Sequence, residues 1–218
     1  MFFLITRNRI GAARQTVEHC EATGMTAPAV AVNDGGDELV LIEPDNWSTW
    51  NLEPHRELAQ TMNHCFDTSP DRPYYGFLTD GCRPVTQGWD QTLIEAAGDW
   101  GIAWGDDGWK HGHRVAGGVV FGGKLLRAIG YWVPRTLIHW FVDDYWELLV
   151  KELGVRCYRP GVKFEYHHHL LGNAPEDENT ARVFNGVAYP ASDQNAFEEW
   201  KRHRAGDVID RVRREMLK

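Results

Sequence analysis

The chain has 218 residues, a formal charge of −8 at pH 7 and 43% apolar residues. That length suits one compact domain with one sizeable core, and the composition excludes a largely disordered chain. The acidic balance argues against a general polyanion binder, and no run approaches the roughly 20 apolar residues that cross a bilayer.

Phe2–Thr6 is a short apolar run of the kind that forms a fully buried strand. It runs into the polar cluster Arg7-Asn8-Arg9, and a helical pattern follows through Val17 and Cys20. Residues 28–32 read as a second buried strand, with a turn at Asn33-Asp34-Gly35-Gly36-Asp37, and Leu39–Ile42 as a third. Leu52–Phe66 predicts a helix, and Tyr75–Leu78 predicts a strand that closes at Thr79-Asp80-Gly81. Alternating strands and helices predict an α/β fold, a mostly parallel sheet with helices on both faces. Its polar loops would gather at the carboxyl edge of the strands, where open α/β sheets bind ligands.

In the second half, Val119–Phe121 reads as a strand flanked by paired glycines. Residues 124–130 predict a short helix ended by Gly130. Asp143–Leu153 predicts a helix whose acidic first turn suits its dipole, closed by Gly154. Val155–Tyr158 and Val162–His169 read as strands, and 195–204 and 207–217 as helices. The last helix carries Val208, Ile209, Val212, Met216 and Leu217 on one side, a face on which a homodimer could form. Residues 200–218 hold seven Lys/Arg against three acids, a local balance of +4 that leaves −12 on the remainder. The expected organisation is one domain over 1–190, with a donor half at 1–90 and an acceptor half at 91–190, followed by a helical basic tail at 191–218.

The opening Met1–Arg9 places its charge after its apolar stretch, the reverse of a secretory signal, so a cytoplasmic protein without a transmembrane segment is expected. Cys20, Cys65, Cys82 and Cys157 are widely spaced, which suits reduced buried thiols better than a disulfide scaffold or a zinc site.

Asp80 and Asp34 each end a buried strand, where a carboxylate either shapes a turn or receives a cation or ligand. Asp143 and Asp144 precede Trp146, a setting for a general base or for helix capping. His167-His168-His169 offers imidazole ligands; on a strand, alternation would send His167 and His169 to one face and His168 to the other. Ten Trp are spread along the chain, most suited to core positions and a few to walls for sugar rings or bases.

Taken in order, these features resemble the GT-A glycosyltransferases, especially compact bacterial and phage-type members related to family 2, over about Phe3 to Thr180. Thr6-Arg7-Asn8-Arg9 resembles the first nucleotide-contacting loop, and Val32-Asn33-Asp34-Gly35-Gly36 the element whose Asp recognises the base. Thr79-Asp80-Gly81-Cys82, with Gly88-Trp89-Asp90 after it, resembles the metal-binding segment; Gly81 stands where that segment has its second acid. His139–Trp146 resembles the segment of the catalytic base and favours Asp143 over Asp144, while Glu165–Asp177 resembles the segment of the late metal-binding His.

The resemblance implies an inverting transfer of sugar from a nucleotide diphosphate sugar to an acceptor hydroxyl of a glycan, a small molecule, a protein or a modified DNA base. It assigns Thr6, Arg7, Arg9, Asp34, Thr79 and Asp80 to the donor. Asp80 with His167, His168 or His169 would hold Mn²⁺ or Mg²⁺, and Asp143 or Asp144 would act as base. A nucleotidyltransferase on a similar sheet, or a non-catalytic nucleotide-sugar or glycan-binding module, are the alternatives.

Overall fold

The computed structural model describes residues 1–35, 44–115, 117–175, 181 and 189–218. Among these residues, eight strands form one sheet: β1 (Phe2–Thr6), β2 (Ala29–Asn33), β3 (Trp47–Asn51), β4 (Tyr74–Thr79), β5 (Cys82–Pro84), β6 (Ile102–Asp106), β7 (Gly118–Gly122) and β8 (Arg156–Tyr166). Their spatial order is β3-β2-β1-β4-β7-β6-β8-β5. The pairs β2/β3, β1/β2, β1/β4 and β6/β8 are parallel; β7 runs against both its neighbours and β5 against β8, so the sheet is mostly parallel.

Among the described residues, seven α-helices cover the two faces: α1 (Ile10–Ala22), α2 (Leu58–Thr68), α3 (Trp89–Ala97), α4 (Gly123–Ile129), α5 (Val142–Leu153), α6 (Tyr189–His203) and α7 (Ala205–Met216). The period of two along β1 separates the layers. Phe2 and Leu4 pack with Val17 and Leu93 of α1 and α3, whereas Phe3 packs with Met62, Leu125, Trp146 and Phe197 on the other face. Each fully buried Phe or Leu adds about 1.5–3 kcal/mol relative to exposure. No helix among the described residues is long and apolar enough to cross a membrane.

Several expected boundaries shift for identifiable reasons. The helix foreseen from Leu52 begins at Leu58, because Pro54 restricts the residues before it and residues 52–57 run as loop. The third strand is Trp47–Asn51; the stretch Leu39–Ile42 lies outside the described residues. The two strands foreseen at 155–158 and 162–169 are one, β8, with a register slip opposite Gly105 and Asp106.

That strand ends at Tyr166, so strand alternation does not govern the His triplet. The Asn173 side chain accepts the His168 N–H and donates to the Tyr166 carbonyl, turning the chain into a single 3₁₀ turn at His169–Leu171. At the C-terminus, Val208, Ile209 and Val212 of α7 are buried, so most of the face expected to meet a second copy packs into the chain's own core. Leu217 and Met216 remain exposed.

Candidate active site

Register alone brings the strand ends together. Thr6 of β1 lies level with Asn33 of β2, and Ile5 is level with Thr79 of β4. Asp34 and Asp80 follow these strands directly, and both are buried. Thr6 joins them: its carbonyl accepts the Asp34 N–H at 2.9 Å, and its hydroxyl donates to Asp80 Oδ2 at 3.0 Å. Arg9 reaches Asp80 Oδ1 at 3.5 Å, and Thr16 Oγ1 of α1 donates to the Asp80 carbonyl at 2.9 Å.

The expected donor residues divide into two groups. Asp80 and Arg9 line a cavity of about 550 Å³, together with Asn8, Gln15, Arg83 and His167–His169. Gly11 and Ala12, in the first turn of α1, line it too, and that end of a helix favours anions. Asp34 instead accepts the Arg56 N–H at 2.8 Å, and Arg7 lies 3.7 Å from Glu57, so both face the start of α2. Burial pushes the Asp34 carboxyl above its usual range, against the opposing pull of the Arg56 N–H and of nearby His55 and Arg7. Thr79 is held in the sheet and does not line the cavity.

The structure gives Gly81 a steric cause. A Cβ there would sit 2.4 Å from the His167 carbonyl oxygen, because the His167 N–H donates to the Gly81 carbonyl at 2.8 Å and draws the two backbones together. Any side chain, including a second acid, is shut out at this point.

All three histidines line the cavity. His167 Nε2 lies 3.1 Å from Arg83 Nη1, and His168 Nδ1 accepts the Leu170 N–H at 3.2 Å. The His168 ring lies against Trp109 and Tyr166, with centroids at 5.5 Å and 5.8 Å. Among the described residues, no three His, Cys, Asp or Glu groups are gathered as metal ligands. Asp80 and the three imidazoles share the cavity lining and supply oxygen and nitrogen donors of the types that a divalent ion accepts. With fewer than three such groups gathered, these residues fit an ion only if a ligand completes its shell. Asp90, from the same sequence segment, is fully buried at the opposite edge of the sheet, where it accepts the N–H groups of Thr26 and Ala27 at 2.9 Å each.

Asp143 and Asp144 occupy the first turn of α5. Lys110 Nζ donates to Asp143 Oδ2 at 3.2 Å, and Arg114 pairs with Asp144. Both cations come from the segment between β6 and β7, which Asp107 shapes by accepting the N–H groups of Trp109 and Lys110 at 3.0 and 2.7 Å. The same segment thus places Trp109 on His168 and Lys110 on Asp143, linking the cavity to the start of α5. Lys110 and Arg114 carry no signal in the sequence, because no spacing pattern marks a loop cation whose partner lies 30 or more residues away. Cys20, Cys65 and Cys82 are buried and burial pushes their thiols up, in line with inert core positions.

No family model matches the chain, and no curated protein matches it. Solved structures do. A structure of GalNAc-T7 with UDP, GalNAc and Mn²⁺ superposes with a TM-score of 0.66 at 12% identity, over 92% of this chain and 48% of that one. This chain therefore spans about half the length of that protein. The mannosyltransferase PcManGT from Pyrobaculum calidifontis, in complex with GDP-Man and Mn²⁺, gives 0.55 at 10% identity over 97% of this chain and 72% of that one. A mycobacterial protein gives 0.54 at 8% identity over 77% and 67%. The chain has the fold of the GT-A glycosyltransferases.

Proposed function

We propose that this protein is a glycosyltransferase that moves a sugar from a nucleotide diphosphate sugar to an acceptor hydroxyl, with inversion at the anomeric carbon. The observation that carries the reading is the cavity at the carboxyl edge of the parallel strands, which gathers Asp80, Arg9, Arg83 and His167–His169. The fold is shared with proteins whose structures hold UDP or GDP-Man with Mn²⁺, which supports the same reading.

Arg9, Arg83 and the first turn of α1 provide the positive surroundings that a diphosphate needs. Asp80 with one of His167, His168 and His169 would hold Mn²⁺ or Mg²⁺, and a bound ion would supply neutralisation of the charge that develops on the departing diphosphate. Asp34 and Arg7 belong to the base-side wall, with Thr6 fixing Asp34 relative to Asp80. Asp143 takes the proton of the acceptor hydroxyl as its oxygen forms the new bond to the anomeric carbon. The bond from that carbon to the diphosphate oxygen breaks on the opposite face, and a single displacement inverts the centre. Asp144, paired with Arg114, is the second carboxylate at this position. Trp109, 37% exposed beside the cavity residue His168, offers a flat wall for a sugar ring or a base of the acceptor.

The test begins with thermal shifts in UDP, GDP and their sugar conjugates, with and without Mn²⁺. A ligand held at 100 times its Kd stabilises by about 2.7 kcal/mol. Released nucleoside diphosphate and an inverted product anomer support the reading. Pyrophosphate marks a nucleotidyltransferase instead. Binding with no turnover in Mn²⁺ marks a non-catalytic nucleotide-sugar module, a reading that the closed Gly81 position favours.

A further inference from the structure

We propose that α6 is a working part of the acceptor side of this site, with Asp193 as a positioning residue for the carboxylates of α5. The inference rests on the reading above and goes beyond it, because the C-terminal helices carry none of the features that suggest sugar transfer.

Asp193 is fully buried. Its Oδ1 accepts the Ile138 N–H at 2.9 Å, and its Oδ2 accepts the N–H groups of His139 and Trp140, both at 2.7 Å. One carboxylate therefore fixes three consecutive peptide units that end two residues before α5 begins. Charge-assisted bonds of this kind are short and about twice as strong as neutral ones.

Asp193 does not act alone. Phe197 and Trp200 follow at i+4 and i+7, on the same face of α6. Phe197 stacks on Phe141 at 5.7 Å, and Phe141 is a non-glycine residue in the left-handed region, at φ 64°, immediately before α5. Such a conformation persists only when its surroundings hold it. Trp200 donates to the Tyr131 hydroxyl at 2.8 Å and packs edge-on against Tyr145 of α5. Successive side chains of one helix face thus hold residues 138–140, then 141, then the first turns of α5, where Asp143 and Asp144 project. Segment 138–140 also meets the base-side wall: the Ala59 N–H donates to the Ile138 carbonyl at 3.0 Å, and His139 Nδ1 lies 3.8 Å from Glu57 Oε2.

A general base works only when its oxygen lies within hydrogen-bond reach of the acceptor, and a displacement of about 1 Å can cost about 100-fold in rate. Asp193 sets that position through the backbone of 138–141 and touches no substrate itself. Asp90 is a built-in comparison. It is an equally buried carboxylate that accepts two loop N–H groups, but it does so at the opposite edge of the sheet.

The experiment compares Asp193→Asn, Phe197→Leu and Asp90→Asn with the unaltered chain, each assayed well below its own Tm. Asparagine removes the charge and turns an amide donor toward backbone donors. Phe197→Leu keeps an apolar side chain but loses the ring stack, which covers the case in which Asp193→Asn fails to fold. Three readouts are taken: hydrogen exchange of the Ile138, His139 and Trp140 amides, the thermal shift in UDP or GDP with Mn²⁺, and release of nucleoside diphosphate from the donor and acceptor pair that the unaltered chain turns over.

For Asp193→Asn we expect exchange at 138–140 to rise about tenfold or more and kcat to fall roughly 10- to 100-fold, with the nucleotide-induced shift unchanged. Phe197→Leu moves the same way by less, and Asp90→Asn lowers Tm while leaving kcat intact. The proposal is overturned if exchange at 138–140 stays at its original rate, if kcat stays within about twofold once exchange has risen, or if Asp90→Asn lowers kcat as much. Absence of any turnover by the unaltered chain overturns the glycosyltransferase reading instead, and the exchange result still stands by itself.

Discussion

The two sides of the proposed site are held in different ways. On the donor side, Thr6, Asn33 and Thr79 are placed by the ladders of β1, β2 and β4, so Asp34 and Asp80 emerge from positions fixed by strand register. On the acceptor side, Asp143 and Asp144 open a helix that is led in by loop, and single side chains hold that loop: Asp193 on residues 138–140, Asp107 on 109–110, Lys110 and Arg114 on the carboxylates themselves. Ladder bonds form as a cooperative set, whereas each of these clamps can be removed alone. Donor binding and acceptor handling are therefore expected to separate under mutation, and the following variants press on that separation in order of decreasing effect.

Asp143→Asn keeps the shape of the side chain and removes the base, so turnover should fall by about 10²- to 10⁴-fold, while the thermal shift in UDP or GDP with Mn²⁺ stays at its original size. Retained turnover removes Asp143 from its role; loss of the shift as well dissolves the distinction between the two sides. Gly81→Asp restores an acid at the position occupied by one in the resembling family, yet its Cβ meets the His167 carbonyl at 2.4 Å. We expect a loss of about 1–3 kcal/mol in stability, read as a lower Tm, and no tighter Mn²⁺ binding. An unchanged Tm with tighter Mn²⁺ binding would show that this edge is more pliable than its ladder implies.

The smallest effect is a pH dependence on the donor side. Burial raises the Asp34 carboxyl, so the folded state holds its proton more firmly than the unfolded state. The ionised form then costs stability as pH rises from the ordinary Asp range through the raised value, and the full cost is present above it. Asp34→Asn should raise Tm at neutral pH, with a gain that shrinks as pH falls into the ordinary carboxylate range. A gain independent of pH would assign the effect to packing instead.

Much of the donor side is legible in the sequence because its signals are local. Phe2–Thr6 and Tyr75–Leu78 are apolar runs followed at once by polar residues, and register does the rest. The acceptor side is legible only as residue types. Asp143 and Asp144 stand out, but the partners that place them lie about 30 to 55 positions away in sequence, and nothing periodic connects Asp193 to Trp140. The His triplet shows the same limit. Its residues line the cavity through a turn set by Asn173, five positions downstream of His168, and not by strand alternation. Trp47–Asn51 gives little strand signal in the sequence, because Ser48, Thr49 and Asn51 interrupt the apolar pattern of this edge strand.

The central claim is that a nucleotide diphosphate sugar sits with its phosphates in the cavity of Asp80 and Arg9. A crystal structure with UDP or GDP-mannose and Mn²⁺ tests it most directly. The account predicts a cation bound by Asp80 and an imidazole from His167–His169, with the diphosphate bridging it to Arg9. A nucleotide found elsewhere, for instance in another cavity lined by Trp100, Lys124 and Arg211, with Asp80 still held by Thr6 and Arg9, would contradict it.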